Sequence, residues 1–237
     1  MDNKLVTLLK KTRLFKYYRK YKDKQLYQEN LIRNRYFMAE GEDLLRHFAD
    51  TLNSEGIIFW LEFGTLLGYY RENDFIPHDC DLDMGARIED APEIRSSLIR
   101  SGFKLIDYYT SSDGGLEECY KYRNTCIDIF YFREDKDSNT LYCNSFVTRR
   151  YLFKKHRKTL KCFVKRVDYP VSEFIKVTFK GAQVYIPSDT IEHLEWSYGK
   201  NFMTPDPDFD SRTVATNITY YQYAEVSGIL HVSGNKI

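Results

Sequence analysis

The stretch that decides the fold is Trp60-Leu61-Glu62-Phe63-Gly64-Thr65-Leu66-Leu67-Gly68, then Arg71, then Ile76-Pro77-His78-Asp79-Cys80-Asp81-Leu82-Asp83-Met84. Its second half alternates polar and apolar residues, which predicts a strand with one wet face over 78–84. On such a strand Asp79, Asp81 and Asp83 share a face, while Cys80, Leu82 and Met84 anchor the other in a core. Carboxylates held that close repel one another unless a cation neutralises them. The economical reading is a divalent metal site with hard oxygen ligands, suited to Mg²⁺ or Mn²⁺. The competing reading is a solvated edge strand or turn.

A further carboxylate, Asp128, lies between Ile127 and Ile129 in the β-rich run Cys126-Ile127-Asp128-Ile129-Phe130. A lone charge there is costly to bury unless it is paired or binds a metal, so the strand is expected beside the first, completing a metal site from Asp81, Asp83 and Asp128. On the other side, Ile57 to Leu61 reads as a buried strand and Gly64-Thr65 opens a helix. Backbone N–H groups and a hydroxyl at a helix N-terminus suit a phosphate. The turn, the interleaved aspartates and one later carboxylate together form the signature of a nucleotidyltransferase fold. The expected class is α+β: a mixed β-sheet core flanked by helices, with a basic helical extension at the N-terminus.

The rest of the chain fits that class. Leu44, Leu45, Phe48 and Leu52 recur at helical spacing before the stop at Asn53-Ser54-Glu55-Gly56. Residues 91–101 and 190–198 read as helices; 103–109, 116–122 and 126–132 read as strands, and 179–185 as a hairpin. Two domains are expected, an extension over 1–36 and a catalytic domain over 37–237.

The 237 residues carry 35 Lys+Arg against 34 Asp+Glu, for a net charge of +1. That near-neutrality hides a segregation, since residues 1–36 carry eleven basic and three acidic residues. A basic amphipathic head can lie on an anionic membrane surface or against an acidic partner; the alternative is a solvated extension packing a few leucines on the main domain. A second basic block runs from Arg149 to Arg166 in an acid-free stretch. No apolar run approaches the roughly 18 residues of a membrane span, and mean hydropathy is −0.53. Five cysteines without a C-x-x-C pair fit neither a disulfide framework nor a four-ligand zinc site. The head lacks the apolar core of a secretory signal, so a cytoplasmic location is expected, at the inner face of the membrane if the head binds there. No nucleic-acid partner is expected.

The segment Phe63 to Met84 resembles the LicD family, which includes the fukutin-related proteins. The family's G-[ST]-L-L-G, following arginine and I-P-x-D-x-D-x-D are matched by Gly64 to Gly68, Arg71, Ile76, Pro77, Asp79, Asp81 and Asp83, with Asp128 at the later carboxylate. Val184 to Pro187, Tyr198-Gly199 and Phe202 to Pro205 resemble its C-terminal pattern. The resemblance implies a transferase that moves a phospho-alcohol (phosphocholine, ribitol phosphate or glycerol phosphate) from a CDP-activated donor to a sugar hydroxyl of a cell-surface or capsular glycan, or of a lipid-linked oligosaccharide, releasing CMP. Asp81, Asp83 and Asp128 are the expected metal ligands, with Asp128 or Asp79 as the base; Gly64, Thr65 and Arg71 are the expected donor contacts. His78 stands where the family often has tryptophan, and the zinc-binding cysteines of fukutin-related protein have no counterpart, so no zinc is expected. The alternatives are a nucleotidyltransferase releasing pyrophosphate, a metal-dependent glycosyltransferase and a non-enzymatic binding module.

Overall fold

Trp60 and Gly85 face each other across two antiparallel strands, and their packing sets the centre of the sheet. A Cβ on Gly85 would stand 2.1 Å from the indole nitrogen, so only glycine lets the buried Trp60 ring lie flat over the neighbouring strand. These strands are β1 (Phe59–Leu61) and β2 (Leu82–Arg87), separated by helix α2 (Phe63–Glu72). The computed structural model describes residues 13–147, 159–206, 209, 211–222 and 224–232.

Helix α1 (Arg13–Ser54) precedes β1; after β2 come α3 (Ala91–Arg100), β3 (Lys104–Ser111), β4 (Leu116–Tyr122), β5 (Thr125–Asp135), β6 (Thr140–Val147) and β7 (Thr159–Pro170). The hairpin β8 (Phe174–Phe179) and β9 (Ala182–Pro187) leads into α4 (Thr190–Tyr198), α5 (Ser211–Val214), β10 (Ile218–Tyr220) and β11 (Gly228–Val232). The strands form one mixed sheet in the order β10-β7-β11-β3-β4-β5-β2-β1-β9-β8, with β6 between β5 and β7. Pairing is antiparallel except β2 with β5 and β1 with β9. The mixed α/β architecture is the one expected.

The two-residue period of β1 and β5 divides the core. Phe59, Leu61, Ile127, Ile129 and Tyr131 join the large cluster beneath α1, where Phe37, Leu44, Leu45, Phe48 and Leu52 are buried. Trp60, Phe130 and Phe132 point the other way, into a second cluster with Val167 and Tyr169. Asp128 sits in the same alternation as Phe130, on the face opposite the α1 core.

Helix α1 runs unbroken through residue 36, so the change in charge there has no break in secondary structure. It ends at Ser54, and Gly56, with φ +72°, turns the chain so that the Ile57 N–H returns to the Leu52 carbonyl at 3.1 Å. Residues 1–12 of the basic head, and 149–158 of the second basic block, lie outside the described residues; Lys161, Lys165 and Arg166 are part of β7. Strands β6, β7, β10 and β11 were not expected from the pattern. Among the described residues no helix is long and apolar enough to cross a membrane.

The expected strand over 78–84 is corrected by the structure. Regular pairing begins only at Leu82, and Asp79 and Asp81 lie in the loop before it. Pro77 cannot donate to a ladder, and the Asp79 N–H turns back to the Ile76 carbonyl at 3.0 Å.

Candidate active site

The aspartates reach one region by two routes. Asp83 and Asp128 are direct register partners on the parallel strands β2 and β5, so their side chains leave the sheet side by side. Asp79 comes from the loop: a Cβ built on Gly64 would lie 3.3 Å from Asp79 Oδ2 and 3.4 Å from Asp83 Oδ2. Glycine at 64 thus leaves room for two carboxylates against the first turn of α2.

That turn is held firmly. Glu62, fully buried, caps α2 by accepting from the Phe63 N–H. Its carboxylate also accepts from Trp60 Nε1 and from His193 Nε2, both at 2.8 Å. Tyr169 stacks on the His193 ring with centroids 3.6 Å apart. Phe63 itself has φ +41°, a strained conformation outside glycine, and packs edge-on against Phe130. Glu62 and His193 were absent from the residues expected to matter; an acidic residue before G-T was the only available signal.

Gly64 and Thr65 serve Asp83 directly. Thr65 Oγ accepts from the Asp83 N–H at 2.8 Å, and the Gly64 N–H faces the Asp83 carboxylate. The first turn of α2 therefore holds an aspartate. Arg71, in the last turn of α2, bonds Glu72 Oε1 through Nε and Nη2 at 2.9 and 2.7 Å, and its charge acts on Asp79.

Crowding and burial raise all four carboxylates. Burial, then the Asp81 charge, push Asp79 up to about 7, against the pull of Arg71. Asp128 is likewise pushed up to about 7 by burial and by Asp81, while the Cys119 thiol directly across the β4–β5 pair opposes the rise. Asp83 is raised well above the ordinary range by burial and by its three aspartate neighbours. Asp81 is raised by burial and held back by Arg33. Asp128 Oδ1 is buried without a hydrogen-bond partner.

Helix α1 contributes residues that sequence reading assigned to a separate extension. Arg33 Nη2 lies 2.5 Å from Asp81 Oδ2. Asn34 Nδ2 donates to the carbonyls of Pro77 and Asp79, at 2.9 and 2.7 Å. Among the described residues, no three His, Cys, Asp or Glu side chains are gathered in a geometry that could hold a metal ion. The donor chemistry nonetheless fits a hard divalent cation: carboxylate oxygens only, two of them in register, and an unpartnered buried oxygen on Asp128.

A cleft of about 1040 Å³ opens beside this cluster, with Gly64, Arg71, His78, Asp79, Tyr198 and Lys200 among its walls. It unites the turn, the cleft-facing aspartate and three basic side chains with an aromatic ring. Trp196, by contrast, packs against the second core cluster.

Residues 56–189 match the family model for the LicD/FKTN/FKRP nucleotidyltransferase domain. The chain belongs to this family. The matched range contains every aspartate of the cluster, the Gly64-Thr65 turn and Arg71, but neither Arg33 nor Asn34. Among relatives, the mouse protein named ribitol-5-phosphate transferase FKTN is 29% identical over 199 residues, covering 82% of this chain and 40% of its own length. An uncharacterized Rickettsia prowazekii protein, RP689, is 32% identical over 155 residues, covering 65% of this chain and 52% of its own. The human ribitol 5-phosphate transferase FKRP is 44% identical over 45 residues, covering 19% of this chain and 9% of its own. The chain thus spans about 40% of the length of the fukutin sequence it matches.

Proposed function

We propose that this LicD-family chain is a phosphotransferase that moves a phospho-alcohol (ribitol phosphate, glycerol phosphate or phosphocholine) from a CDP-activated donor to a sugar hydroxyl of a glycan, releasing CMP. The observation that carries the reading is the register pairing of Asp83 with Asp128 against the first turn of α2, beside a cleft walled by cationic side chains. The names of the fukutin and fukutin-related relatives, both ribitol phosphate transferases, support the class of group transferred.

Asp81, Asp83 and Asp128 would hold a Mg²⁺ or Mn²⁺ ion, whose charge offsets that of the donor phosphates. Gly64 borders the cleft in which the donor would lie, while Arg71 and Lys200 offer it positive charge from the cleft wall. Thr65, buried behind the turn, keeps Asp83 in register. The acceptor hydroxyl gives its proton to Asp79 or Asp128; the position of Asp79 on the cleft wall favours Asp79. Oriented attack in line with the departing CMP is the main contribution of such a site. The basic head would bring the enzyme to an anionic membrane surface carrying a lipid-linked acceptor.

The test incubates purified chain with CDP-ribitol, CDP-glycerol and CDP-choline, each with and without glycan acceptors and with Mg²⁺ or a chelator. Cation-dependent CMP release from one donor is expected. Pyrophosphate release from CTP without CMP release from any donor would replace this reading with nucleotidyl transfer.

A further inference from the structure

The four aspartates draw a cation from within the protein. Arg33 arrives from α1, 48 positions away in sequence, and lies outside the residues matched by the family model. Its guanidinium reaches Asp81 Oδ2 at hydrogen-bond distance, and its charge also interacts with Cys126, Cys80 and Asp128. The helix around it is fixed: Asn34 is bonded to two carbonyls of the 77–79 loop, the Cys80 thiol approaches the Asn30 carbonyl at 3.5 Å, and Phe37 is buried against Phe75. Arg33 is therefore aimed at Asp81 by packing on both sides, while its own side chain keeps enough exposure to swing aside.

We propose that Arg33 is the internal counter-cation of the acidic site: it neutralises Asp81 through the oxygen that a divalent ion would take, and such an ion displaces it. The inference rests on the metal-binding reading of the aspartates given above. A guanidinium and a divalent ion on the same carboxylate oxygen repel strongly at that separation, even with the screening typical of a partly exposed site. Binding of either therefore weakens the other, and the coupling is reciprocal. Arg33 is a positioning residue in this scheme, holding the Asp81 loop until the ion replaces it. One consequence is that α1 and the acidic loop form a single functional unit across the boundary drawn by charge at residue 36.

The test measures Mn²⁺ affinity of the chelator-stripped full chain by electron paramagnetic resonance, at a pH of about 8, for the unaltered protein and for Arg33→Gln, Arg33→Lys and Asp83→Asn. Arg33→Gln is expected to bind Mn²⁺ about tenfold more tightly or better. Arg33→Lys, which keeps the charge and loses the planar fork, should fall between. Unchanged or weaker Mn²⁺ binding in Arg33→Gln, with Asp83→Asn still abolishing binding, overturns the counter-cation role and leaves the metal site standing. Absence of Mn²⁺ binding by every form, or binding that survives Asp83→Asn, removes the metal site and the inference with it. A merely structural role for Arg33 would lower thermal stability without moving the Mn²⁺ affinity.

Discussion

Two pairs of aspartates meet at this site, and they are held in opposite ways. Asp83 and Asp128 are fixed by backbone register on adjacent parallel strands. Asp79 and Asp81 sit on a loop whose position depends on side chains of a helix more than forty residues earlier, Arg33 and Asn34. Strand register is enforced by every ladder bond and by the cores on both faces of the sheet, so the first pair is costly to move. Loop position is enforced by a few hydrogen bonds of modest net value. The site thus combines a rigid half with a half that a local event can shift.

Removing one carboxylate from each half should separate them most sharply. Asp83→Asn is expected to abolish CMP release, by about 10³-fold or more, because it removes a ligand of the cation whose charge would offset the donor phosphates. It should also raise the melting temperature of the chelator-stripped protein at pH about 8, since a crowded, fully buried carboxylate is relieved. Asp81→Asn should lower activity too, yet raise stability less, because the relief of its buried charge is partly offset when Arg33 loses its partner. Calorimetry beside the CMP assay reads both effects; equal stability changes of the same sign would erase the distinction between the halves.

A second expectation concerns pH. Asp79 and Asp128 are pushed up to about 7 from the ordinary 3.8. Between those values the folded chain holds protons that the unfolded chain has released. Stability must therefore fall as pH rises through that window, the reverse of the usual ion-paired carboxylate. Asp43, Asp74 and Asp135, lowered by their cationic partners, titrate below it. The melting temperature of the chelator-stripped protein should decline from about pH 5 to about pH 8, and Asp128→Asn should flatten the decline. A melting temperature that rises over this range would show that the carboxylates are already neutralised.

The rigid half was legible in the sequence because it obeys local rules. Apolar residues flank Asp128 at the strand period, and Gly64-Thr65 marks a strand-to-helix turn, so both places follow from patterning. The loop half imitated the same pattern. Residues 78–84 alternate well enough to read as strand, and only tertiary bonds from Asn34, with the turn at Pro77, end that resemblance at Leu82. Arg33 was hidden for another reason: in a head with eleven basic residues, nothing local distinguishes a cation aimed at a carboxylate from one in solvent. Strand β7 was obscured likewise, since Lys161, Lys165 and Arg166 read as a charge block while Leu160, Cys162 and Val164 are buried on one face and Val167 and Tyr169 on the other.

The smallest expected effect falls on the tie between α1 and the loop. Asn34→Ala removes both side-chain bonds to the 77–79 backbone and leaves every charged group in place. Two lost bonds in a partly exposed setting should cost about 1–2 kcal/mol of stability. If the loop half is held mainly by this tie, Asp79 loses its place on the cleft wall, and turnover should fall about tenfold with little change in donor KM. Asp83 and Asp128 depend on neither bond, so donor binding through the rigid half should persist. The decisive measurement is the split between kcat and KM: a rise in donor KM at unchanged kcat would mean that the loop positions the donor and that the aspartate on it takes no part in turnover.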